Sequence, residues 1–282
     1  MSEHHHWKGY LVVDNGDALL IQSPYMFEEK IVYGSDSDDT TMAIAAIQFL
    51  NNHGHSIDSI HLPLTVDAST LFLATGVDSI LNNELLEFEQ VKWNLLSGDE
   101  ATMVLAKTEV EEYEFETPID FELIDGQFYN DIRDAWVQEK AESHVSQGAY
   151  VSESQYLEGA RARLSLASQK VGDGLIWPPR QLDSSGQRIP SESHPLLGQA
   201  IVESWTKLSA AGAPSEFSLR APILGGIQTL LVRFEQGPRG VFLVCDDVDY
   251  SPKIGDDVEF SVRRIYAQEG VIRYGLKAYP KS

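Results

Sequence analysis

The 282-residue sequence predicts an α/β layer followed by a small all-β barrel. Three observations predict it. Up to about residue 165, runs with helical apolar spacing alternate with short apolar runs of strand length. Gly172-Asp173-Gly174, Pro178-Pro179 and Ser184-Ser185-Gly186 then punctuate the chain with turn-forming residues. From Pro214 onward, short apolar runs recur at close spacing between Gly, Pro and Asp turns, the pattern of a barrel. The expected division is 1–165 for the α/β part, 166–213 for a ribbon or linker, and 214–282 for the barrel.

Tyr10-Leu11-Val12-Val13 and Ala18-Leu19-Leu20-Ile21 flank Asp14-Asn15-Gly16-Asp17, and an Asn-Gly pair between apolar runs predicts a hairpin. Asp38 and Asp39 suit a helix start, and Met42 to Leu50 is apolar nearly throughout, so a buried helix is expected there, ended by Gly54. Ser59 to Val66 reads as a short strand limited by Pro63, and Ser69 to Leu81 as a second helix. Ala101 to Ala106 reads as another buried strand. The acidic segment Glu109 to Glu122 reads either as an exposed-edge strand pair or as a docking arm. Arg133 to Glu142 and Ser154 to Gln169 follow as helices, the second with Tyr156, Leu157, Ala160, Leu164 and Ala167 at helical spacing. The barrel strands are expected at Phe217–Leu219, Ile227–Phe234, Val241–Cys245, Val258–Tyr266 and Val271–Leu276, and five strands fit an OB-like barrel.

Charge divides the chain. Residues 1–150 carry 28 Asp and Glu against 6 Lys and Arg, whereas residues 151–282 carry 15 of each, so the first half holds the whole net charge of −22. That balance opposes nucleic-acid binding, which depends on neutralising phosphates with Lys and Arg. No apolar run approaches the ~20 residues needed to span a bilayer. The start, Met1-Ser2-Glu3-His4-His5-His6, has neither the basic nor the apolar segment of a secretory signal and reads as a frayed leader. A cytoplasmic protein without membrane contact is expected. The single cysteine, Cys245, sits in an apolar tract before Asp246 and Asp247; it excludes intramolecular disulfides and Cys-rich zinc sites and reads as a small core residue.

Leu243-Val244-Cys245-Asp246-Asp247-Val248-Asp249-Tyr250, Ile254-Gly255-Asp256-Asp257-Val258, the basic run Val262-Arg263-Arg264-Ile265-Tyr266, and the finish Val271 to Pro280 together resemble the OB-fold family that accompanies thiolase-like enzymes. That family places a four-cysteine zinc ribbon ahead of the barrel. Trp177-Pro178-Pro179-Arg180 matches its centre, and Trp205-Thr206-Lys207-Leu208-Ser209 its linker, but Gln169 to Gly172 and Gln181 to Ser184 stand where the cysteine pairs would be. No metal is expected, since amides and hydroxyls do not close a tetrahedral zinc site. The first half resembles hydroxymethylglutaryl-CoA synthase-like proteins of the thiolase superfamily. Ser35-Asp36-Ser37-Asp38-Asp39-Thr40-Thr41-Met42-Ala43 is similar to their helix start, Gly98-Asp99-Glu100-Ala101 to their Gly-Asp-Gly-Ala strand, and Asp134-Ala135-Trp136 to their Asp-Phe-Trp segment.

Only about thirty residues separate Asp67 from Gly98, where the family carries its nucleophilic cysteine, and none is Cys. Acyl transfer by that route needs an acylatable thiolate and its base. The fold class implied is therefore a partial thiolase-like α/β layer plus an all-β OB-fold barrel, with no catalytic residue assigned. The resemblance implies an accessory subunit of an acyl-CoA condensing or cleaving complex, a hetero-oligomer with a thiolase-fold acyltransferase or synthase subunit. Coenzyme A thioester is the ligand it implies, with Arg263, Arg264, Arg273 and Lys277 as contacts for the CoA phosphates; solvated barrel charges are the plainer account of those four. Two other readings stay open: an acyl-CoA transferase or hydrolase that works without the usual cysteine, and an acidic protein-interaction module. His53, His55 and His61 read as ordinary loop histidines rather than metal ligands, and Asp36, Asp38 and Asp39 as helix-start charge.

Overall fold

The hairpin of the N-terminal region forms because Asn15 supplies its own turn. The Asn15 carboxamide oxygen accepts from the amides of Asp17 and Ala18, and Gly16 takes a positive φ of 91° that a larger side chain resists. Strands β2 (Tyr10–Asp14) and β3 (Ala18–Gln22) result, both buried almost throughout. In this computed structural model, residues 3–81, 92–98, 101–115, 120–141, 143, 153–189, 192–196 and 198–281 are described. The chain forms two compact units, Met1–Asn130 and Asp131–Ser282.

In the first unit the expected frayed leader is instead strand β1 (Glu3–Trp7), antiparallel to β2. Two side-chain bonds fix it: the Trp7 indole donates to the Ala45 carbonyl at 3.0 Å, and Lys8 donates to Gln48 at 2.7 Å. A small sheet of β4 (Tyr25–Phe27) and β5 (Lys30–Val32) precedes helix α1 (Asp39–Asn52). Asp38 caps α1 in a reciprocal box with Thr41, and Gly54 follows its end at φ +85°, as the sequence predicts. Strand β6 (Ser59–Leu62) stops before Pro63, and α2 (Ala68–Thr75) begins behind the Asp67 cap.

The second helix is half as long as its apolar pattern implies. Gly76 turns left-handed and its amide closes on the Phe72 carbonyl, after which Asp78–Leu81 is strand β7, parallel to β6. Strands β8 (Trp93–Ser97), which the sequence reading missed, and β9 (Thr102–Lys107) complete a seven-stranded sheet ordered β1-β2-β3-β9-β8-β6-β7. Met42, Ala43, Ala46 and Ile47 of α1 are buried, as are Leu19, Ile21, Leu95, Met103 and Leu105 of the sheet. In the acidic segment, residues 107–115 carry no strand beyond the end of β9; residues 116–119 lie outside the described set, and β10 (Glu122–Leu123) pairs with β4. Helix α3 (Gly126–Lys140) starts earlier than expected because Asp125 accepts from the Phe128 amide.

In the second unit, α4 (Glu153–Ser165) ends where Leu166 takes φ +51°, and the expected tail of that helix is strand β11 (Ala167–Val171). With β12 (Gly174–Ile176) and β13 (Ser193–Pro195) it makes a three-stranded ribbon ordered β12-β11-β13. Hydrogen bonds stand at both cysteine-pair positions of the resembled family. The Gln169 side-chain oxygen accepts from the Arg180 amide at 2.9 Å, and the Asp183 carboxylate accepts from the Ser185 and Gln187 amides and the Ser185 hydroxyl. Those bonds to an exposed side chain hold the Asp183 carboxyl below the usual carboxylate range.

The five-stranded sheet follows: β14 (Gln199–Leu208), β15 (Ile227–Phe234), β16 (Arg239–Leu243), β17 (Asp257–Gln268) and β18 (Val271–Pro280), ordered β16-β15-β14-β17-β18. The outer strands meet where Val244 pairs in parallel with Ala278. The sheet therefore curls into a partly open five-stranded form without a continuous closing ladder. Its first strand is β14, not Phe217–Leu219. Phe217 is apolar because it packs with Ala221 and Ile227 in a loop core, while the tract read as a linker pairs with β15 along its length. Among the described residues, no helix is long and apolar enough to cross a membrane.

Side-chain hydrogen bonds of Gln169 and Asp183 hold the ribbon turns, so millimolar chelator is expected to leave its thermal unfolding unchanged. Gln169→Ala removes the acceptor of the Arg180 amide and is expected to lower stability by about 1–3 kcal/mol in a denaturant melt. Loss of the fold on chelation would show that metal, not Gln169 and Asp183, holds the ribbon.

Candidate functional site

A cleft of about 270 Å³ opens in the second unit, lined by residues of β16, β17 and β18 together with Trp177 and Arg163. It lies beside the seam that the parallel bridge leaves unpaired. Trp177 forms one wall and is fixed on three sides. Its ring stacks on Phe242 with centroids 5.0 Å apart at 19°, its indole donates to the Ala162 carbonyl at 3.3 Å, and it lies against Gly240. A methyl group on Gly240 would come within 2.6 Å of the Trp177 ring, so close approach requires glycine there. Phe234 and Phe260 continue the aromatic stack behind Phe242.

A bulge shapes the opposite side. The β17–β18 ladder pairs Arg264 with Tyr274 and then Tyr266 with Arg273, leaving Ile265 as the extra residue. Ile265 and Gly275 both line the cleft, and a Cβ on Gly275 would press to 3.1 Å from the Ile265 side chain. Ile265 thus occupies the space that a side chain at Gly275 would take.

The four basic strand residues separate. Arg263 is 0 % exposed, and one of its guanidinium nitrogens donates to the Ser261 hydroxyl at 2.6 Å and to the Val262 carbonyl. Lys277 is also buried and donates to Asp246 at 2.7 Å. Arg264 stacks over the Trp136 ring at 4.2 Å. Of the four, Arg273 is the one that lines the cleft.

Lys277 belongs to a buried ion network invisible to motif reading. Arg220, 0 % exposed, donates to Glu139 at 2.8 Å, to Asp246 at 3.1 Å and to the Ile265 carbonyl at 2.6 Å. Its guanidinium lies 4.0 Å from the Trp136 ring centre, so Trp136 contacts both Arg220 and Arg264. Ile132 and Ala267 complete that core. The sequence signal that could have pointed here is the pairing of Arg220 with an acidic helix face at Glu139, but nothing in the spacing joins residues 81 apart.

In the first unit the acidic helix start is a scaffold. Asp38 is the cap, and Tyr33 donates to Asp39, while Tyr10 donates to Ser37 at 3.1 Å and shares a bond with Thr41. Burial, then the hydrogen bond to Asp39, raises the Tyr33 hydroxyl well above the usual phenol range. The three histidines go to different places. His53 stacks on Phe49, His55 meets the edge of Trp93, and His61 is buried on β6. Cys245 is buried, and its amide donates to the Ala278 carbonyl at the seam, as core packing implies.

No family model and no curated protein matches the chain. Among solved structures, a chain of the Ltp2-ChsH2(DUF35) aldolase is similar at 15 % identity and a TM-score of 0.32, over 46 % of this chain and 97 % of that one.

Two outcomes follow from these side chains. Arg220→Met removes the cation beside buried Glu139 and leaves Lys277 as the cation on Asp246, and denaturant melts are expected to show a loss of about 3–5 kcal/mol, part of it recovered when Glu139→Leu is added. For Tyr33, the unfolded chain releases the phenolic proton near pH 10 while the folded chain keeps it, so stability falls as pH rises above that point. Tyr33→Phe is expected to reduce the alkaline slope by one proton, about 1.4 kcal/mol per pH unit.

Proposed function

We propose that the chain is a non-catalytic accessory subunit of an acyl-CoA thiolase- or synthase-type complex. The observation that carries this reading is an intact scaffold from which the chemistry of the resembled family is missing. The ribbon has three strands and is held through Gln169 and Asp183 where the resembled family would place cysteines, and a five-stranded sheet follows it. The chain's only cysteine is closed in the core at the seam. A chain without the nucleophilic and zinc-binding cysteines of the resembled family is suited to docking and positioning.

In this reading the partner is a thiolase-fold acyltransferase or synthase, and the product is a hetero-oligomer that works on coenzyme A thioesters. Of the four basic residues, Arg273 is the one we carry forward as a CoA phosphate contact, because it reaches a cleft. Arg263 and Lys277 hold the barrel core together instead. The acidic first half then serves as a surface for a basic partner face, with its charge acting on association rate and selectivity.

Affinity purification of the full chain from its native cells is expected to recover a thiolase-fold subunit at fixed stoichiometry, identified by mass spectrometry. Arg273→Ala should raise the complex's KM for acyl-CoA about tenfold with kcat little changed, the pattern of a lost binding contact. A monodisperse monomer with no such partner sinks the reading. Thiol-independent turnover of acyl-CoA by the isolated chain would move the function to the enzyme alternative.

A further inference from the structure

The seam cleft has a chemistry of its own. Its described lining carries two arginines, Arg163 and Arg273, and no carboxylate, in a chain whose net charge is −22. The remaining walls are aromatic and aliphatic, with Trp177, Phe242 and Leu276 among them and the Tyr266 and Tyr274 rings alongside. An apolar pocket with a few convergent polar groups is the general form of a small-molecule site. At about 270 Å³ the cleft falls just below the common range of roughly 300–1,000 Å³, so it suits a small body rather than a whole CoA thioester.

We propose that this cleft binds an amphipathic carboxylate, a short acyl or aryl acid whose apolar body lies between Trp177 and the β16–β18 seam and whose carboxylate meets Arg163 and Arg273. The guanidinium is the side chain for that head group. Its planar fork matches two carboxylate oxygens, and its five N–H donors allow it to serve a ligand while keeping a protein contact. The walls are set before any ligand arrives. Trp177 is held by Phe242, Gly240 and the Ala162 carbonyl, and Ile265 is held at the bulge, where its carbonyl accepts from Arg220. A pre-formed site loses little ordering entropy on binding. Val241, 66 % exposed on β16, stands at the edge of the cleft.

The inference goes beyond the accessory-subunit reading, because the site belongs to this chain alone and needs no partner, and it gives Arg273 a carboxylate where that reading gives it a CoA phosphate. Titration calorimetry on the full chain tests it, with octanoate and 4-phenylbutyrate as probes, the matching alcohols as the same bodies without charge, inorganic phosphate as charge without body, and octanoyl-CoA. Saturable 1:1 binding of the two acids is expected, with alcohols and phosphate at least about tenfold weaker. Arg273→Gln should weaken the acids by about tenfold and leave the alcohols within about twofold, a charge-selective loss that a structural role alone does not produce. Val241→Trp, a change at an exposed strand position, should block both acids while the melting temperature stays put. The assignment fails if neither acid saturates, if alcohols bind as well as acids, or if both variants bind as wild type. Binding of octanoyl-CoA without octanoate overturns the carboxylate assignment and leaves the accessory reading standing. Octanoate binding in a chain that recruits no thiolase-fold partner does the reverse.

Discussion

The second unit is organised around a guanidinium withdrawn from water. Arg220 takes one acid from helix α3, Glu139, and one from the loop after β16, Asp246, and gives its remaining donor to the carbonyl of the bulged residue Ile265. Each of those groups would be costly to bury alone, and together they are mutually satisfied. The Ile265 carbonyl matters most for the site. A bulged residue drops out of the regular ladder, so its carbonyl needs another donor, and Arg220 supplies one. The same residue's side chain faces Gly275 in the cleft. Lys277 adds a second cation on Asp246, which ties β18 to the network. The shape of the cleft thus depends on ion pairs behind it.

This arrangement also explains why four basic residues on adjacent strands do not form one positive patch. Alternation along a strand sends neighbours to opposite faces, and the bulge between Arg264 and Tyr266 resets that alternation. Arg263 is turned into the core and Arg264 onto Trp136, whereas Arg273 lies on the unbulged partner strand β18 and lines the cleft. A linear reading of Val262-Arg263-Arg264-Ile265-Tyr266 cannot carry this information, because Trp136 and Asp246, which receive Arg264 and Lys277, lie elsewhere in the chain. Arg263 and Lys277 are buried in the five-stranded sheet where Ser261, Val262 and Asp246 meet them.

Local signals were legible where one residue type solved one local problem. The Asn15-Gly16 turn, the Asp38 cap and the Gly54 end of α1 were all in the sequence because caps and turns have few chemical solutions. Apolar runs were less informative. Ser69 to Leu81 reads as one helix until Gly76 is given its left-handed turn, and Ser154 to Gln169 reads as one until Leu166 reverses. In the first case Ile80 and Leu81 continue the apolar pattern, in the second Ala167 falls at helical spacing, and periodicity over so few residues does not separate helix from strand. Strand β14 was hidden for the opposite reason. Much of its outer face is polar or carries exposed Trp205 and Ile201, so its apolar residues are too few to stand out from a linker. Of the candidate site, Arg273 and Trp177 were nameable from sequence, whereas Arg163, Arg220 and Glu139 join it only through tertiary contact.

Side-chain hydrogen bonds hold the turns of the ribbon. A structural zinc site fixes two chain turns by pulling four ligands to one point. Here the first turn is fixed by a side-chain amide that accepts a backbone N–H from the other, Gln169 to Arg180, and the second closes on its own aspartate, Asp183. Ser168 adds a bond to the His194 carbonyl across β13. These contacts are individually weaker than metal ligation, so the ribbon also depends on what it packs against. Trp177 provides that, since its ring seats on Phe242 and Gly240 of the five-stranded sheet and its indole on α4. The residue that anchors the ribbon is therefore the residue that walls the cleft, and a ligand held there would stabilise the ribbon through the same side chain.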